Sequence, residues 1–254
     1  MRVIFLTQDD PFYVAESFRY ILDNLPSGVE VVAAVVLGGS PFGRRSSFIE
    51  KLRHTYTVFG PRFVWRYGHR FMRSKLRRSR SLQELLRSRG IEILIPASSI
   101  NEPEFLDTLR QRQPDLLVSV MANQIFRDEL IGLAPQGCLN LHSALLPRNR
   151  GLMPTFWALK HGETETGVSV FFVDGGIDTG PILVQRRIPI RERNLDALLR
   201  EQKQLGAEAV VESLLKVQHG GFELAPNNAQ EGNYNTFPSR LDVRDFLNAG
   251  NRLF

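Results

Sequence analysis

Residues 138–151 read CLNLHSALLPRNRG and residues 172–180 read FVDGGIDTG, and these two stretches organise the chain. Asn140 and His142 are two positions apart, so both side chains lie on one face if the stretch is a β-strand. A proline and a glycine follow, which predicts that this strand runs out into a loop. Asp178 lies in a glycine-containing loop between two apolar runs. The sequence therefore predicts that an Asn, a His and an Asp converge on one pocket.

The chain around this region alternates short apolar runs with amphipathic helical patterns. Strands are predicted at 3–6, 29–37, 91–95, 116–120, around 140–142, 167–173 and 182–190. Helices are predicted from Asp9, Asp10 and Pro11 to Leu25, then at 59–77, 81–89, 101–112, 154–160 and 194–217. Strand–helix alternation of this kind is typical of an α/β fold with a mostly parallel sheet.

The amino-acid composition limits the classes of protein to which this chain can belong. The 254 residues are 43% hydrophobic and 23% charged, which is ordinary for a globular chain. The single cysteine, Cys138, excludes an internal disulfide and fits a reducing cytosol. The first apolar run is too short for a signal peptide, and no stretch approaches the roughly 18 to 20 apolar residues of a spanning helix. We therefore expect a cytoplasmic protein.

The positive charge is concentrated in one segment. Of the 32 Lys and Arg residues, 12 lie between Arg44 and Arg80 beside one acid, and the other 20 face 26 acidic residues. Helical spacing there aligns three aromatics, Phe63, Tyr67 and Phe71, beside five arginines, Arg62, Arg66, Arg70, Arg73 and Arg77. One hypothesis is a basic amphipathic helix that contacts an anionic membrane, a nucleic acid or a phosphorylated substrate. We favour a crossover helix whose aromatics pack on the sheet while its arginines are solvated.

Several common site motifs are missing from the sequence. No G-x-G-x-x-G follows the first strand, and neither a P-loop motif nor G-x-S-x-G occurs. The five histidines are scattered, and none has metal-ligand spacing with another His or with Cys138. His142 and Ser143 are adjacent and would point to opposite faces of a strand, which suits a nucleophile–base pair poorly. Dinucleotide, P-loop, metal and serine-nucleophile hypotheses therefore lose support.

The remaining trio suits acyl transfer without a protein nucleophile. Asn140 can donate a hydrogen bond to a developing oxyanion, and His142 can donate a second one or carry a proton. Asp178 can fix the imidazole tautomer and favour its charged form, or accept a proton from an attacking amine.

Three stretches in order carry a family resemblance. They are Asn140–Pro147, Arg150–Pro154 and Gly167–Gly180. At these residues the sequence resembles the folate-dependent formyltransferases, the group that contains methionyl-tRNA formyltransferase, glycinamide ribonucleotide formyltransferase and the amino-sugar N-formyltransferases. The resemblance covers residues 90–217 well and the first 40 residues by pattern only.

The resemblance implies a Rossmann-like sheet in three layers, with helices on both faces. We expect a catalytic domain over 1–217 with a basic insertion at 41–80, followed by a short polar C-terminal extension over 218–254; the basic segment and the extension lie outside the resemblance. By the resemblance, the donor would be 10-formyltetrahydrofolate, with a primary amine as acceptor and no metal. The catalytic residues would be Asn140, His142 and Asp178. The folate pocket would comprise Met121, Ala122, Asn123, Gln124, Ile125, Phe126, Val173, Asp174, Gly175, Gly176 and Ile177. Substrate contacts would come from Ser143, Arg150 and Gly151.

Departures from the family pattern bear on the acceptor. The order Ser143–Ala144 is swapped, and 121–124 reads MANQ where the transfer-RNA enzymes usually carry a Tyr-Gly pair. About 35 residues follow the long helix, too few for the barrel that holds transfer RNA. We therefore expect a small amine acceptor, such as a nucleotide-linked amino sugar.

Other functions stay open. One is formylation of methionyl-tRNA, with the basic segment in place of the barrel, and a nucleic-acid partner is not favoured. Another is hydrolysis of formyltetrahydrofolate. A third, from a different class, is a non-catalytic folate-binding or membrane-associated module, with peripheral membrane contact through 59–77. The sequence does not indicate an oligomeric state.

Overall fold

A computed structural model describes residues 1–8, 10, 12–38, 48–76 and 81–254. The strands are β1 (Arg2–Gln8), β2 (Glu30–Leu37), β3 (Glu92–Leu94), β4 (Leu116–Val120), β5 (Cys138–His142), β6 (Arg150–Gly151), β7 (Glu165–Phe172), β8 (Ile182–Pro189) and β9 (Tyr234–Asn235). The helices are α1 (Val14–Asp23), α2 (Phe48–Phe59), α3 (Pro61–Leu76), α4 (Leu82–Ser88), α5 (Pro103–Arg110), α6 (Asp128–Ile131), α7 (Pro154–Lys160), α8 (Leu195–His219) and α9 (Arg240–Asn248).

Seven strands form the central sheet in the order β3-β2-β1-β4-β5-β7-β8. The pairings from β3 to β5 are parallel, whereas β7 is antiparallel to β5 and to β8. The predicted mostly parallel α/β sheet is therefore confirmed. A separate pair, β6 with β9, was not predicted.

Helices cover both faces of the sheet, as β1 illustrates. Val3 and Phe5 point into an apolar cluster with α1, α4 and α8, whereas Ile4 and Leu6 point into a second cluster with α5 and α6. A strand buried on both faces reads as a continuous apolar run, because alternate residues enter different cores. The three-layer prediction is therefore correct.

The first predicted helix begins later than expected. The carboxylate of Asp10 accepts the backbone N–H of Phe12 at 2.9 Å and of Tyr13 at 2.7 Å. This turn precedes α1, whose first residue is Val14. Asp9 and Pro11 lie outside the described residues. The acidic signal therefore marks the turn at the carboxyl end of β1 and not the first turn of the helix.

The helix predicted at 101–112 begins at Pro103 and not at Asn101. Glu102 occupies the N-cap position of α5. The Asn101 amide instead donates to the Ile125 carbonyl at 2.8 Å, and its oxygen accepts the Arg127 N–H at 2.9 Å. The polar side chain therefore braces the loop after β4, which the local sequence did not reveal.

The basic segment forms two helices rather than the single predicted one. Gly60, with φ of +81°, separates α2 from α3. Two members of the aromatic stripe of α3, Phe63 and Tyr67, pack on other aromatics. Phe63 lies 4.6 Å from Phe59 and 5.1 Å from Phe254, and Tyr67 lies 4.9 Å from Phe12, each between ring centroids. The part of the basic segment at 41–47 and 77–80 lies outside the described residues.

The C-terminal segment contributes packed structure. Val243 and Phe246 of α9 are buried against Phe156 and Trp157 of α7, so the expected polar extension contains an amphipathic helix. None of the helices in the described ranges has the length and hydropathy that a membrane span requires.

Candidate active site

Asn140 and His142 lie on β5, next to the carboxyl end of β4. In the sheet register, Asn140 pairs with Ser119 on one side and with Phe171 on the other. The two side chains share one face of the strand, as the spacing predicted. His142 is buried, with 7% exposure, and Asn140 is half-buried. Within the described part of the chain the Asn140 amide makes no side-chain hydrogen bond, so it retains donors for a bound molecule.

The two ring nitrogens of His142 have different partners. Nε2 lies 2.8 Å from the Asn149 carbonyl oxygen, and Nδ1 lies 3.6 Å from Oδ2 of Asp178. A carbonyl oxygen only accepts hydrogen bonds, so Nε2 carries the proton. In the neutral imidazole, Nδ1 is therefore the unprotonated nitrogen and faces a carboxylate. The backbone of Asn149 fixes the tautomer, a role that the sequence suggested for Asp178.

Asp178 is held in place by its own backbone and by neighbouring segments. Its φ is +53°, in the left-handed region that Asp and Asn adopt more readily than most residues. Oδ2 accepts the Gly151 N–H at 2.8 Å, and the Asp178 carbonyl accepts the Asn227 amide at 3.0 Å. The carboxylate is thus directed at His142 by contacts from two other parts of the chain.

Asn149 is a residue that the sequence analysis missed. Its side chain is 1% exposed, and its Nδ2 donates to Glu163 at 2.6 Å. Its Oδ1 accepts from Asn233 at 3.3 Å and from Asn235 at 3.1 Å. These contacts orient the carbonyl that binds His142 Nε2. An Asn between Pro147 and Gly151, with φ of +54°, is a turn signal that could have indicated it.

The two loops predicted to bind a folate lie side by side. Ala122, Phe126 and Val173 pack on the same apolar cluster. A Cβ at Gly175 would lie 3.8 Å from Oδ1 of Asp128, at the start of α6. Exposed apolar side chains line both loops, with Ile125 62% and Ile177 43% exposed. The structure therefore brings the segments 121–126 and 173–177 together beside β5.

Side-chain hydrogen bonds hold these loops. Gln124 accepts the Ile100 N–H at 2.9 Å, and the Asn123 amide donates to the Gly38 carbonyl at 2.9 Å. Asp174 accepts the Gly176 N–H at 3.1 Å and the Thr179 hydroxyl at 2.6 Å. Met121 has a φ of +61° at the end of β4. Both loops are therefore shaped before any ligand binds.

The three predicted substrate contacts occupy different positions. Ser143 Oγ accepts the Lys203 ammonium at 3.2 Å. The Arg150 guanidinium donates to the carbonyls of Ile177 and Ala229, both at 3.4 Å, and within the described residues its buried Nε has no partner. Gly151 supplies the N–H that holds Asp178. Arg150 and Gly151 thus lie beside the trio, whereas Ser143 faces α8.

This arrangement can be compared with known proteins. A model of the formyl transferase family matches residues 72–214, more than half of the chain. The chain belongs to the formyl transferase family. The family resemblance predicted from the sequence is therefore confirmed.

Curated relatives of this chain include methionyl-tRNA formyltransferases. A methionyl-tRNA formyltransferase of Caldanaerobacter subterraneus subsp. tengcongensis is 36% identical over 154 residues, 60% of this chain and 50% of that protein. The chain spans about half the length of the curated relatives it matches.

Two solved structures share the fold. Glycinamide ribonucleotide transformylase 1 from Symbiobacterium toebii has a TM-score of 0.58 and 22% identity, covering 90% of this chain and 94% of that one. WlaRD, a sugar 3N-formyl transferase determined in the presence of dTDP and 5-N-formyl-THF, has a TM-score of 0.61 and 15% identity, covering 98% and 78% respectively. At these identities the likeness establishes the fold.

Gln202 of α8 is a second residue that sequence reasoning missed. Its side chain is fully buried. Nε2 donates to the carbonyls of Ser143 and Gly167 at 3.0 and 2.8 Å and lies 3.2 Å from the Thr166 hydroxyl. Oε1 accepts the Thr155 hydroxyl at 2.5 Å. This one amide therefore ties α8 to α7, to β7 and to the residue that follows His142.

Replacing Gln202 with leucine is expected to lower the free energy of unfolding by about 2 to 4 kcal/mol, because it leaves several buried polar groups unpaired. Denaturant unfolding measures this change. Gln204→Leu is the matched control, since its amide is exposed and bonds Glu208 within the same helix. That control should shift stability by less than about 0.5 kcal/mol. Equal losses in the two variants would contradict the role given to Gln202.

Lys203 follows Gln202 on α8 and is half-buried. Burial lowers the pKa of Lys203 to about 8, and the nearby Asp10 carboxylate opposes that shift. The folded state therefore holds this proton less tightly than the unfolded chain does. Below pH 8 both states are protonated, and the cost of burying the charge is fully present.

Lys203→Met is accordingly expected to raise the melting temperature at pH 7. The gain should shrink as the pH rises from about 8 to 10.5, because Lys203 loses its proton first in the folded state and the cost disappears from the wild type. Thermal unfolding of the wild type and the variant across this pH range tests whether the gain in melting temperature falls as the pH rises. A gain in melting temperature that is constant with pH would contradict the lowered pKa of Lys203.

Proposed function

We propose that the protein transfers a formyl group from 10-formyltetrahydrofolate to the primary amine of a small acceptor. The observation that carries this proposal is the pairing of His142 Nδ1 with Asp178, on the face of β5 that also presents Asn140. This arrangement supplies a proton acceptor, a negative charge beside it and a free amide donor, which are the groups that acyl transfer to an amine requires.

His142 acts through Nδ1 in this proposal. The attacking amine forms a bond to the formyl carbon and gains positive charge, and Nδ1 takes the excess proton. The proton on Nε2 stays there and is donated to the Asn149 carbonyl, so the ring does not need to change tautomer before it reacts. The proton taken by Nδ1 then passes to the folate nitrogen that carried the formyl group, and the bond between that nitrogen and the formyl carbon breaks as the carbonyl re-forms. Tetrahydrofolate leaves with the electron pair of that bond, and the N-formyl amine is the product.

Asn140 and Asp178 stabilise the charges that this step creates. The carbonyl oxygen of the formyl group becomes negative as the amine attacks, and the Asn140 amide donates a hydrogen bond to it. The imidazole becomes positive when Nδ1 is protonated, and Asp178 lies 3.6 Å away with its carboxylate held by Gly151. Asp178 therefore acts on the charged form of His142.

The donor is proposed to bind between the segments 121–126 and 173–177. These loops adjoin each other beside Asp178, expose Ile125 and Ile177, and are held in shape by their own hydrogen bonds. The Arg150 guanidinium lies beside the second loop, since it donates to the Ile177 carbonyl at 3.4 Å. The folate present in the WlaRD structure supports a folate donor for this fold.

For the acceptor, we favour an amino sugar linked to a nucleotide. Structures named for sugar and glycinamide ribonucleotide acceptors match 90% or more of this chain and most of their own length. Residues 1–217 are proposed to form the catalytic domain. The extension over 218–254 would serve the same site, because Asn233 and Asn235 brace Asn149.

Methionyl-tRNA is the second candidate acceptor. It is supported by the names of the curated relatives and by the basic segment. Arg70 is engaged with Asp196 and Tyr13, so contacts to transfer RNA would come from exposed arginines such as Arg66 and Arg73. This function predicts binding that weakens steeply with salt.

A comparison of acceptors tests the proposal. The protein is incubated with 10-formyltetrahydrofolate and with nucleotide-linked amino sugars, methionyl-tRNA or no amine, and N-formyl products and formate are quantified by mass spectrometry. We expect kcat/KM for an amino sugar to exceed that for methionyl-tRNA by at least about 10²-fold. The reverse order would establish the transfer-RNA function, and formate release without amine would establish a hydrolase.

A further inference from the structure

One face of α3 is exposed and combines arginines with large apolar side chains. The exposed residues recur at helical spacing and are Arg62, Trp65, Arg66, His69, Met72 and Arg73. Trp65 is 76% and Met72 59% exposed. The sequence of α3 contains no acidic residue. This set, called here the α3 outer face, is therefore both cationic and apolar.

The opposite face of α3 is firmly packed. Phe63 and Tyr67 stack at 5.6 Å between ring centroids, and the Arg70 guanidinium lies 4.7 Å over the ring of Phe12. Arg70 also forms an ion pair with Asp196 of α8, and the Tyr13 hydroxyl donates to the same carboxylate. The outer face is thus exposed on a helix that is anchored through its other side.

Burial and hydrogen bonding fix the charge states of Arg70, Asp196 and Tyr13, the groups that anchor α3. Although burial alone would raise the pKa of Asp196, hydrogen bonds from Tyr13 and Arg70 hold that pKa below its usual value. Burial and the hydrogen bond to Asp196 raise the pKa of the Tyr13 phenol. The three groups therefore stay an Arg–carboxylate pair with a neutral phenol near neutral pH, and α3 keeps its orientation.

The helix before α3 also carries exposed apolar side chains. On α2, Ile49 is 74%, Leu52 44% and Tyr56 54% exposed, and their spacing of three and four residues places them on one side of the helix. Arg53 is exposed at the same side. Two successive helices therefore each present an apolar stripe next to arginine.

We propose that the exposed sides of α2 and α3 bind the surface of an anionic phospholipid membrane. A tryptophan and a methionine among arginines suit the boundary between headgroups and acyl chains, where the apolar groups leave water and the guanidinium groups meet phosphates. Nucleic acid would engage the arginines and could stack on Trp65. It would leave Ile49, Leu52 and Met72 without a role.

The two tryptophans make this proposal directly measurable. Trp65 is exposed, whereas Trp157 is buried and its indole N–H donates to the Thr236 carbonyl at 3.0 Å. A change in tryptophan emission on binding therefore reports Trp65. The full chain, without folate or amine, is mixed with vesicles of phosphatidylglycerol and phosphatidylcholine and with vesicles of phosphatidylcholine alone. We expect cosedimentation and a blue shift with the anionic vesicles only.

Substitutions test whether binding depends on the α3 outer face or only on the overall positive charge of the protein. Arg62, Arg66 and Arg73 are changed together to glutamine, and a matched control changes the exposed Arg87, Arg110 and Arg187 in the same way. The first variant is expected to bind anionic vesicles at least about tenfold more weakly, and the control to bind like wild type. Trp65→Phe should remove the blue shift and keep the circular dichroism spectrum.

Several results would overturn the proposal. One is wild-type binding by the triple α3 variant, and another is no cosedimentation of the wild type. Tighter binding of an RNA duplex without a blue shift would assign the face to nucleic acid. A blue shift that grows with protein concentration alone would assign it to a second copy. None of these readouts depends on formyl transfer.

Discussion

Replacing His142 with alanine is expected to lower kcat for formyl transfer by about 10² to 10⁴, with little change in KM for either substrate. The imidazole Nδ1 is the group placed to take the proton of the attacking amine, and alanine offers no acceptor there. The loss should appear in single-turnover measurements, where product release does not contribute.

His219→Ala is the matched control, because His219 is exposed in the last turn of α8 and far along the chain from β5. Its kcat should stay within about twofold of wild type. Circular dichroism and thermal unfolding show whether His142→Ala is folded. A folded His142→Ala protein with wild-type kcat would contradict the role of Nδ1.

Asp178→Asn is expected to lower kcat by about 10² to 10³ while the fold is retained. Asparagine tolerates the φ of +53°, and its side-chain oxygen can still accept the Gly151 N–H. The substitution therefore removes the negative charge beside Nδ1 and little else. Asp107→Asn is the matched control, because Asp107 is an exposed carboxylate that pairs with Arg110 of the same helix, and it should leave kcat close to that of the wild type.

The double variant gives a sharper readout. If Asp178 acts only by stabilising the protonated form of His142, then His142→Ala with Asp178→Asn is no slower than His142→Ala alone. Losses that multiply would show that Asp178 acts separately, for example by taking the amine proton itself. Steady-state kinetics of the four proteins distinguish these outcomes.

Much of the sheet could be predicted because its signals are local. β4 and α7 coincide with the predicted 116–120 and 154–160, and Asn194, where the helix 194–217 was predicted to begin, caps α8 by accepting the Ala197 N–H. Continuous apolar runs and a proline at the first helical turn depend on a few neighbouring residues. Such patterns are therefore readable without the rest of the chain.

The C-terminal elements could not be predicted in the same way. β9 pairs with β6 across about 84 residues of sequence, and α9 is stabilised by apolar residues of α7. The helix is amphipathic but only nine residues long, so its apolar pattern is too short to stand out in the sequence. The one local signal was Ser239 with Asp242, which form a capping box at its start.

In the candidate site, too, features with a local sequence signal could be predicted and features that depend on distant contacts could not. Period-two spacing predicted that Asn140 and His142 share a face, and the structure brings Asp178 to them. The partner that fixes the His142 tautomer is a backbone carbonyl, which carries no sequence signal. Asn149 presents that carbonyl only because residues from the C-terminal segment hold its side chain.

The most direct test of the central claim follows the formyl group itself. 10-Formyltetrahydrofolate labelled in the formyl carbon is mixed with the preferred amine, and the label is traced in amide, formate and folate. The account predicts label in the N-formyl amine in proportion to the tetrahydrofolate formed, and no such transfer with His142→Ala. Label that appears only in formate, or transfer that persists unchanged in that variant, would contradict it.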